Sequence, residues 1–427
     1  MAGETQTKDT LKPSLSLFDA TALSIGAIIG AGIFVVTGIA AGLAGSALVV
    51  SMLIAALVSL FTALSFAELT KALPKEGSVY EFAYQLISPS VGFLAGWMWM
   101  LSNTFVGAAV SLGFAYYLSA LVPNLPVNVI AAIICLAFTI LNFAGIRQSA
   151  LLNNVLVVAK LLILVLFILF GVAYVKPSNF SPFAPLEVGV LQGAFYIFFA
   201  YAGFARVAVV AEEVRNAEKN VSRAILLSLL VSTIFYVGVG IVAVGLVGAG
   251  RLAGSTSPLA EAMNATENSI LVFLVSFGGL IATASVLLTS ILGVSRVTFA
   301  MARRGDLPKT LSKLHSKYGT PHYSVWTVGL LMVFLVLFID LSSVVAISTF
   351  ASLFYYTIGN IAALRLKKSR SVFKRLMSVL GTLTCIGMLV FTVFISLQSW
   401  IIGSAGLLLG MGYYAAKTRL AKNIRVS

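Results

Sequence analysis

The chain has 427 residues, of which 59% are hydrophobic and only 10% charged. An ordinary soluble domain is about 45–50% apolar and about 25% charged, so a chain this poor in charge cannot cover a globular surface with polar groups. A soluble enzyme, a disordered protein and a secreted disulfide scaffold are excluded; what remains is a polytopic, all-α membrane protein.

A membrane helix needs about 20 mostly apolar residues. Taken in chain order, the sequence predicts twelve such runs: residues 17–42, 45–69, 91–121, 127–146, 151–175, 188–210, 224–247, 270–301, 324–339, 344–364, 376–397 and 401–416. Continuous rather than alternating hydrophobicity argues for helices over strands. Residues 1–16 are polar, and the run that follows is too long for a signal-peptide core, so no cleaved signal is expected. Between the runs, residues 76–88 form a short amphipathic stretch and residues 258–268 a short helical cap. The basic loop 303–320 contains His315, and His322 follows; both are expected to be solvated or interfacial. Cys135 and Cys385 lie inside apolar runs, so neither a disulfide framework nor a zinc site is expected.

Lys and Arg total 28 against 14 Asp and Glu. In a soluble domain that excess would suggest nucleic acid, but here the cations sit in short loops. With twelve spans, 23 of the 28 fall on one side and two, Lys176 and Arg251, on the other, leaving Lys160, Arg206 and Arg296 inside spans. The positive-inside rule then places both termini in the cytoplasm of a plasma-membrane protein.

The first run contains Gly26-Ala27-Ile28-Ile29-Gly30-Ala31-Gly32, and three glycines in seven residues weaken a helix by about 1 kcal/mol each. The sixth carries Phe199-Ala200-Tyr201-Ala202-Gly203-Phe204 at a similar depth. Such glycines often mark close helix packing. The alternative is a pair of breaks. They lie five helices apart, so they point in opposite directions, as an inverted repeat of two five-helix halves produces. Unwound segments at mid-bilayer would expose N–H groups suited to a carboxylate and carbonyls suited to an ammonium, and an amino acid carries both.

These residues resemble the amino acid–polyamine–organocation transporters. Residues 26–34 resemble the family's first-helix signature. Residues 198–204, followed by Glu212-Glu213-Val214-Arg215-Asn216, are similar to its sixth-helix signature and tail. Residues 300–308, continuing to Gly319-Thr320-Pro321, resemble the loop after helix 8, and Pro74-Lys75-Glu76-Gly77-Ser78-Val79-Tyr80 the loop after helix 2. The resemblance implies a tail at 1–16 and a ten-helix core at 17–366, with repeats at 17–175 and 188–366. Two further helices at 376–416 and a tail at 417–427 follow. It also implies alternating-access transport of amino acids or related amines. Carried over by residue, the amides of Ala31 and Gly32 would hold the carboxylate, and the carbonyls of Ile28, Phe199 and Ala202 the amino group. Gly30 and Gly203 would permit the unwinding around Ala200. Tyr201 and Phe204 would flank or gate the side-chain pocket.

Lys160 stands alone in the fifth run, about 15 Å from its cytoplasmic end at 1.5 Å per residue. A charged lysine near the bilayer centre costs at least about 2.5–3.5 kcal/mol, and burial disfavours the ammonium. It could snorkel toward the interface. The other reading is a proton-coupling group, and the lysine followed by Leu-Leu-Ile-Leu is similar to proton-coupled members of the family. In that arrangement the amine lies between helices 1, 5 and 8, with Thr283 and Ser285 as hydroxyl partners and helix 1 carbonyls nearby. Arg206 departs from the family pattern. It would bind an acidic substrate or a substrate carboxylate, or pair with Glu213 seven residues on. Arg296 is expected to snorkel. Asn103 and Ser348 are further candidates for the pocket.

Among functions, a secondary transporter of neutral amino acids with broad tolerance, driven by protons, fits best. An exchanger without net proton coupling and a substrate-sensing protein with little flux remain alternatives. A channel would need selectivity rings built by oligomer symmetry. No HExxH, GxSxG or phosphate-binding GxxxxGK[ST] sequence is present, so neither an enzyme nor direct ATP drive is expected. No cofactor, metal or nucleic acid is implied. The partners are an amino acid, protons and membrane lipid; oligomeric state is not encoded legibly.

Overall fold

The computed structural model describes residues 15–74, 77–144, 150–366 and 371–426. Most of the predicted N-terminal tail, with Lys8 and Lys12, lies outside these residues, as do Lys75, Glu76, Ile146, Arg147, the basic cluster at 367–370 and Ser427.

The described residues form helices α1 (Leu17–Ile28), α2 (Thr37–Ala44), α3 (Leu48–Ala72), α4 (Val79–Leu86), α5 (Pro89–Leu121), α6 (Val127–Phe143) and α7 (Ala150–Gly171). They continue as α8 (Val188–Tyr201), α9 (Ala217–Ala253), α10 (Pro258–Asn264), α11 (Ser269–Arg303), α12 (His322–Phe338), α13 (Leu341–Leu364), α14 (Val372–Ile395) and α15 (Leu397–Val426). The only strand-like feature among them is an isolated parallel bridge between Leu15 and Val214.

Among the described residues, eight segments are long and apolar enough to cross a membrane. The first, Leu17–Ala72, is 56 residues long and holds two of the twelve predicted runs. It is interrupted after α1 and again at Gly45, whose φ of +59° suits a residue without a β-carbon. α6 and α12 have 17 residues each, somewhat short of a full span. The last predicted run lies inside the longer α15. The amphipathic stretch and the helical cap expected between runs are α4 and α10.

Two packing groups hold the site between them. α1, α2, α3, α8 and α9 pack on one another, and α5, α6, α11 and α12 form a second group. α7 touches α1, α9 and α11, whereas α13 joins α5, α3 and α8 to the C-terminal pair α14 and α15. Salt bridges gather where the basic loops lie: Lys374 with Glu68 at 2.7 Å, Arg304 with Glu81 at 2.9 Å and Lys417 with Asp306 at 2.7 Å. At the same end Leu15 and Val214 pair main chain to main chain, tying the start of α1 to the segment after α8.

Candidate functional site at two helix breaks

α1 ends where its glycines begin to dominate. Ile29 closes the last helical bond, onto the Ile25 carbonyl at 2.8 Å, and then turns extended with φ −80° and ψ 95°. The chain resumes as a short π-helical stretch, Gly32–Val36, before α2. The interruption is narrower than the glycine window, because Gly26 remains helical inside α1. α8 runs through Tyr201, turns at Ala202 and Gly203, and continues as a 3-10 segment, Phe204–Glu213. The two breaks touch. A β-carbon on Gly203 would lie 2.4 Å from the Ala27 carbonyl carbon, and one on Gly30 would lie 2.7 Å from Val286 of α11. Both glycines are therefore required by close approach.

A broken helix leaves carbonyls without intrahelical partners, and buried carbonyls need donors. Here α1 finds them on other helices. Lys160 of α7 donates from Nζ to the Gly26 carbonyl at 3.2 Å and the Ile29 carbonyl at 3.1 Å. The Tyr236 hydroxyl of α9 donates to Ile28 at 2.9 Å and to Ala200 at 3.1 Å, bridging the two breaks. On the α8 side, Tyr356 of α13 donates to the Ala202 carbonyl at 2.5 Å. Lys160 is 1% exposed, so its stem does not snorkel to the surface. A cation at the end of α1 also meets the negative end of the helix dipole.

Beside the breaks lies a cavity of about 20 Å³, room for about one water. Its lining combines the breaks (Ile28, Gly30, Ala31, Gly32, Phe199, Ala200, Ala202 and Gly203) with residues of α5, α11 and α13. From those helices come the apolar Val106, Val110 and Val286 and the polar Ser102, Asn103 and Tyr355. Arg206 completes the wall. Amides heading a new helical segment have no partner within it, and Ala31 and Gly32, at the head of the stretch after α1, lie in the cavity wall.

A family model described as amino acid permease matches residues 15–408. The chain belongs to the amino acid permease family. It is 35% identical to the branched-chain amino acid permease BcaP of Bacillus subtilis, over 86% of this chain and 83% of that one. It is 34% identical to the methylthioribose transporter of the same organism, over 86% and 83%. Cationic amino acid transporter 4 of Mus musculus is 31% identical over 86% of this chain and 62% of its own length. The chain is thus a multi-pass membrane permease and not an enzyme.

Several residues of this permease sit differently from the sequence reading. Thr283 and Ser285 donate to carbonyls of their own helix, Gly279 at 2.7 Å and Ala282 at 3.0 Å, as short hydroxyl side chains on helices tend to; neither is bonded to Lys160. Arg206 makes no ion pair with Glu213. The expected pairing assumed an α-helical repeat, whereas the segment is 3-10 with about three residues per turn. Val210 also leaves helical geometry, with φ −114° and ψ 28°. Arg206 instead donates from Nη2 to Asn103 Oδ1 at 2.8 Å and lies 5.6 Å from the centre of the Trp99 ring.

Tyr201 and Phe204 do not line the cavity. Tyr201 is fully buried with its ring 4.9 Å from that of Tyr236, and Phe204 stacks on Tyr356 at 5.1 Å. Ser348 is buried behind the wall, bonded to Ser102. Arg296 is exposed. His315 and His322 are half-buried, with their rings 5.5 Å apart. Both cysteines are buried and free. Tyr236, Tyr356 and Tyr355 went unread in the sequence, since a tyrosine inside an apolar run looks like core.

Proposed function

We propose that this permease is a proton-coupled secondary transporter that takes up amino acids, chiefly neutral ones with broad tolerance, across the plasma membrane. The observation that carries the reading is the meeting of two helix breaks beside a small cavity lined by valines and by Ser102, Asn103, Tyr355 and Arg206. The substrate carboxylate is assigned to the Ala31 and Gly32 amides and its ammonium to the Ile28, Phe199 and Ala202 carbonyls. The valine walls suit aliphatic side chains, in line with the branched-chain substrate named for its Bacillus relative.

The architecture proposed is twelve spans, with two inverted five-helix repeats at 17–175 and 188–366. The split first segment, the two shorter apolar helices and α15, which holds the last run, support that count, as does the spacing of the breaks. Both termini are assigned to the cytoplasm from the distribution of Lys and Arg. A cavity with room for one water is too small for an amino acid, so the two packing groups separate to admit and release it, in turn from each side.

Lys160 is the assigned coupling group. Protonated, it holds Gly26 and Ile29 and fixes the end of α1. Neutral, it binds those carbonyls more weakly and frees α1 to move, so proton gain and loss accompany the two orientations. Proteoliposomes with an imposed proton gradient test the proposal. Saturable uptake that collapses with an uncoupler is expected. Uptake that survives the uncoupler and needs an internal amino acid would make the protein an exchanger, and binding without flux a sensor.

A further inference from the structure

Among the described residues, no carboxylate pairs with Arg206. Its guanidinium has five N–H donors and no accessible neutral form. Nη2 is bonded to Asn103 Oδ1, the plane lies near Trp99, and Nη1 is shut off from solvent with no hydrogen-bond partner. None of the residues lining the cavity carries a carboxylate. The buried cation Lys160 is occupied by the carbonyls of α1. α11 makes room for the free nitrogen: a β-carbon on Gly293 would lie 2.8 Å from Arg206 Nη1. A cationic N–H donor shut off from solvent and left without an acceptor is costly, so a ligand that supplies an oxygen there is favoured.

From this we infer that Arg206 sets which side chains the cavity takes. Its free Nη1 receives an oxygen at the far end of the substrate side chain, and its charge turns a cationic side chain away. The inference rests on the proposed amino acid site. The main chain of the breaks holds the part common to all amino acids, so the side chain faces the remaining wall. That wall is the valines of α5 and α11 followed by Asn103, Tyr355 and Arg206. Within the broad range proposed, side chains ending in a carboxamide, and glutamate beyond the neutral ones, are therefore held most tightly, aliphatic ones are accepted against the valines, and lysine is excluded. The relative named as a cationic amino acid transporter would differ from this chain in that respect.

The test compares four side chains of similar length on purified protein: glutamine, glutamate, norleucine and lysine. Calorimetric affinities are expected to place glutamine and glutamate about tenfold or more ahead of norleucine, the worth of one hydrogen bond to a charged donor. Lysine should fall about tenfold or more behind norleucine. Arg206→Met keeps an unbranched apolar stem and should close both gaps. Norleucine binding as tightly as glutamine in the unaltered protein overturns the inference without any variant, and so do gaps that persist in Arg206→Met. If none of the four binds, nor any of the twenty common amino acids, the amino acid site itself is lost, a result distinct from binding without discrimination.

Discussion

Gly32 lies flush against Ala200: a β-carbon on Gly32 would sit 2.4 Å from the Ala200 β-carbon and 2.5 Å from its α-carbon. Main chain therefore meets main chain at the point where both helices are interrupted. Tyr236 locks the same junction from a third helix by bonding Ile28 and Ala200 together.

That contact predicts a steep size limit. Gly32→Val forces α1 and α8 apart, and overpacking of this kind costs about 1–3 kcal/mol. Uptake by reconstituted protein should fall to background, and substrate-induced thermal stabilisation should vanish. Gly387 of α14 is the control, since a β-carbon there meets nothing within 4 Å. Gly387→Ala should leave uptake unchanged and raise the unfolding temperature slightly, because alanine favours a helix by about 1 kcal/mol over glycine. Equal damage from both variants would show that the junction has no special role.

Lys160 permits a sharper test of coupling. Lys160→Ala removes the donor to two carbonyls, which costs about 1–3 kcal/mol for each group left unsatisfied, and should abolish uptake driven by a proton gradient. Lys160→Arg keeps a cation that does not lose its proton at accessible pH. It should bind substrate with an affinity independent of pH yet fail to cycle. In the unaltered protein, uptake should rise as the outside is made more acidic. Full proton-dependent uptake by Lys160→Ala would remove the lysine from the mechanism.

Much of this was legible because helix breaks announce themselves. Gly30, Gly32 and Gly203 mark where a helix is weak, and the five-helix interval suggested that the weak points meet. The limits of the breaks were not legible, because Gly26 stays helical while Ile29, a good apolar helix residue, turns extended. What satisfies the freed carbonyls was also hidden. Tyr236 and Tyr356 are 208 and 154 residues from the carbonyls of Ile28 and Ala202 that they bond, and nothing local distinguishes them from core. Arg206 was misread because counting by 3.6 presumes an α-helix where the chain has tightened to a 3-10 form.

The two tyrosine caps should behave alike in stability but differently in transport. Tyr236→Phe removes one hydroxyl proton shared between the two breaks and Tyr356→Phe one donated to a single break, each hydroxyl contributing about 0.5–1.5 kcal/mol. Thermal unfolding should therefore drop by a similar, modest amount in both variants. Since Tyr236 touches both breaks and Tyr356 only one, its loss should also weaken substrate affinity, read by calorimetry, more than loss of the Tyr356 hydroxyl. Identical losses in affinity would argue that the caps only support the fold.

At the basic end, burial separates ion pairs that matter from those that do not. Asp306 is 6% exposed and accepts from the Tyr80 hydroxyl at 2.7 Å and from Lys417 Nζ at 2.7 Å. Burial first, then the bond to this carboxylate, pushes the Tyr80 phenol above its usual range, so the hydroxyl stays protonated and keeps donating. Asp306→Ala strands that donor and releases α15 from the loop after α11. A loss of about 1–3 kcal/mol is expected, with α15 becoming more accessible to protease. Arg251 and Glu261 form an equally close pair, but Arg251 is 62% exposed, and exposed pairs contribute about 0–1 kcal/mol. Arg251→Gln should therefore leave the unfolding temperature almost unchanged. A smaller loss for Asp306→Ala than for Arg251→Gln would mean that α15 is held by its aromatic packing on Trp97 and Phe93 rather than by this carboxylate.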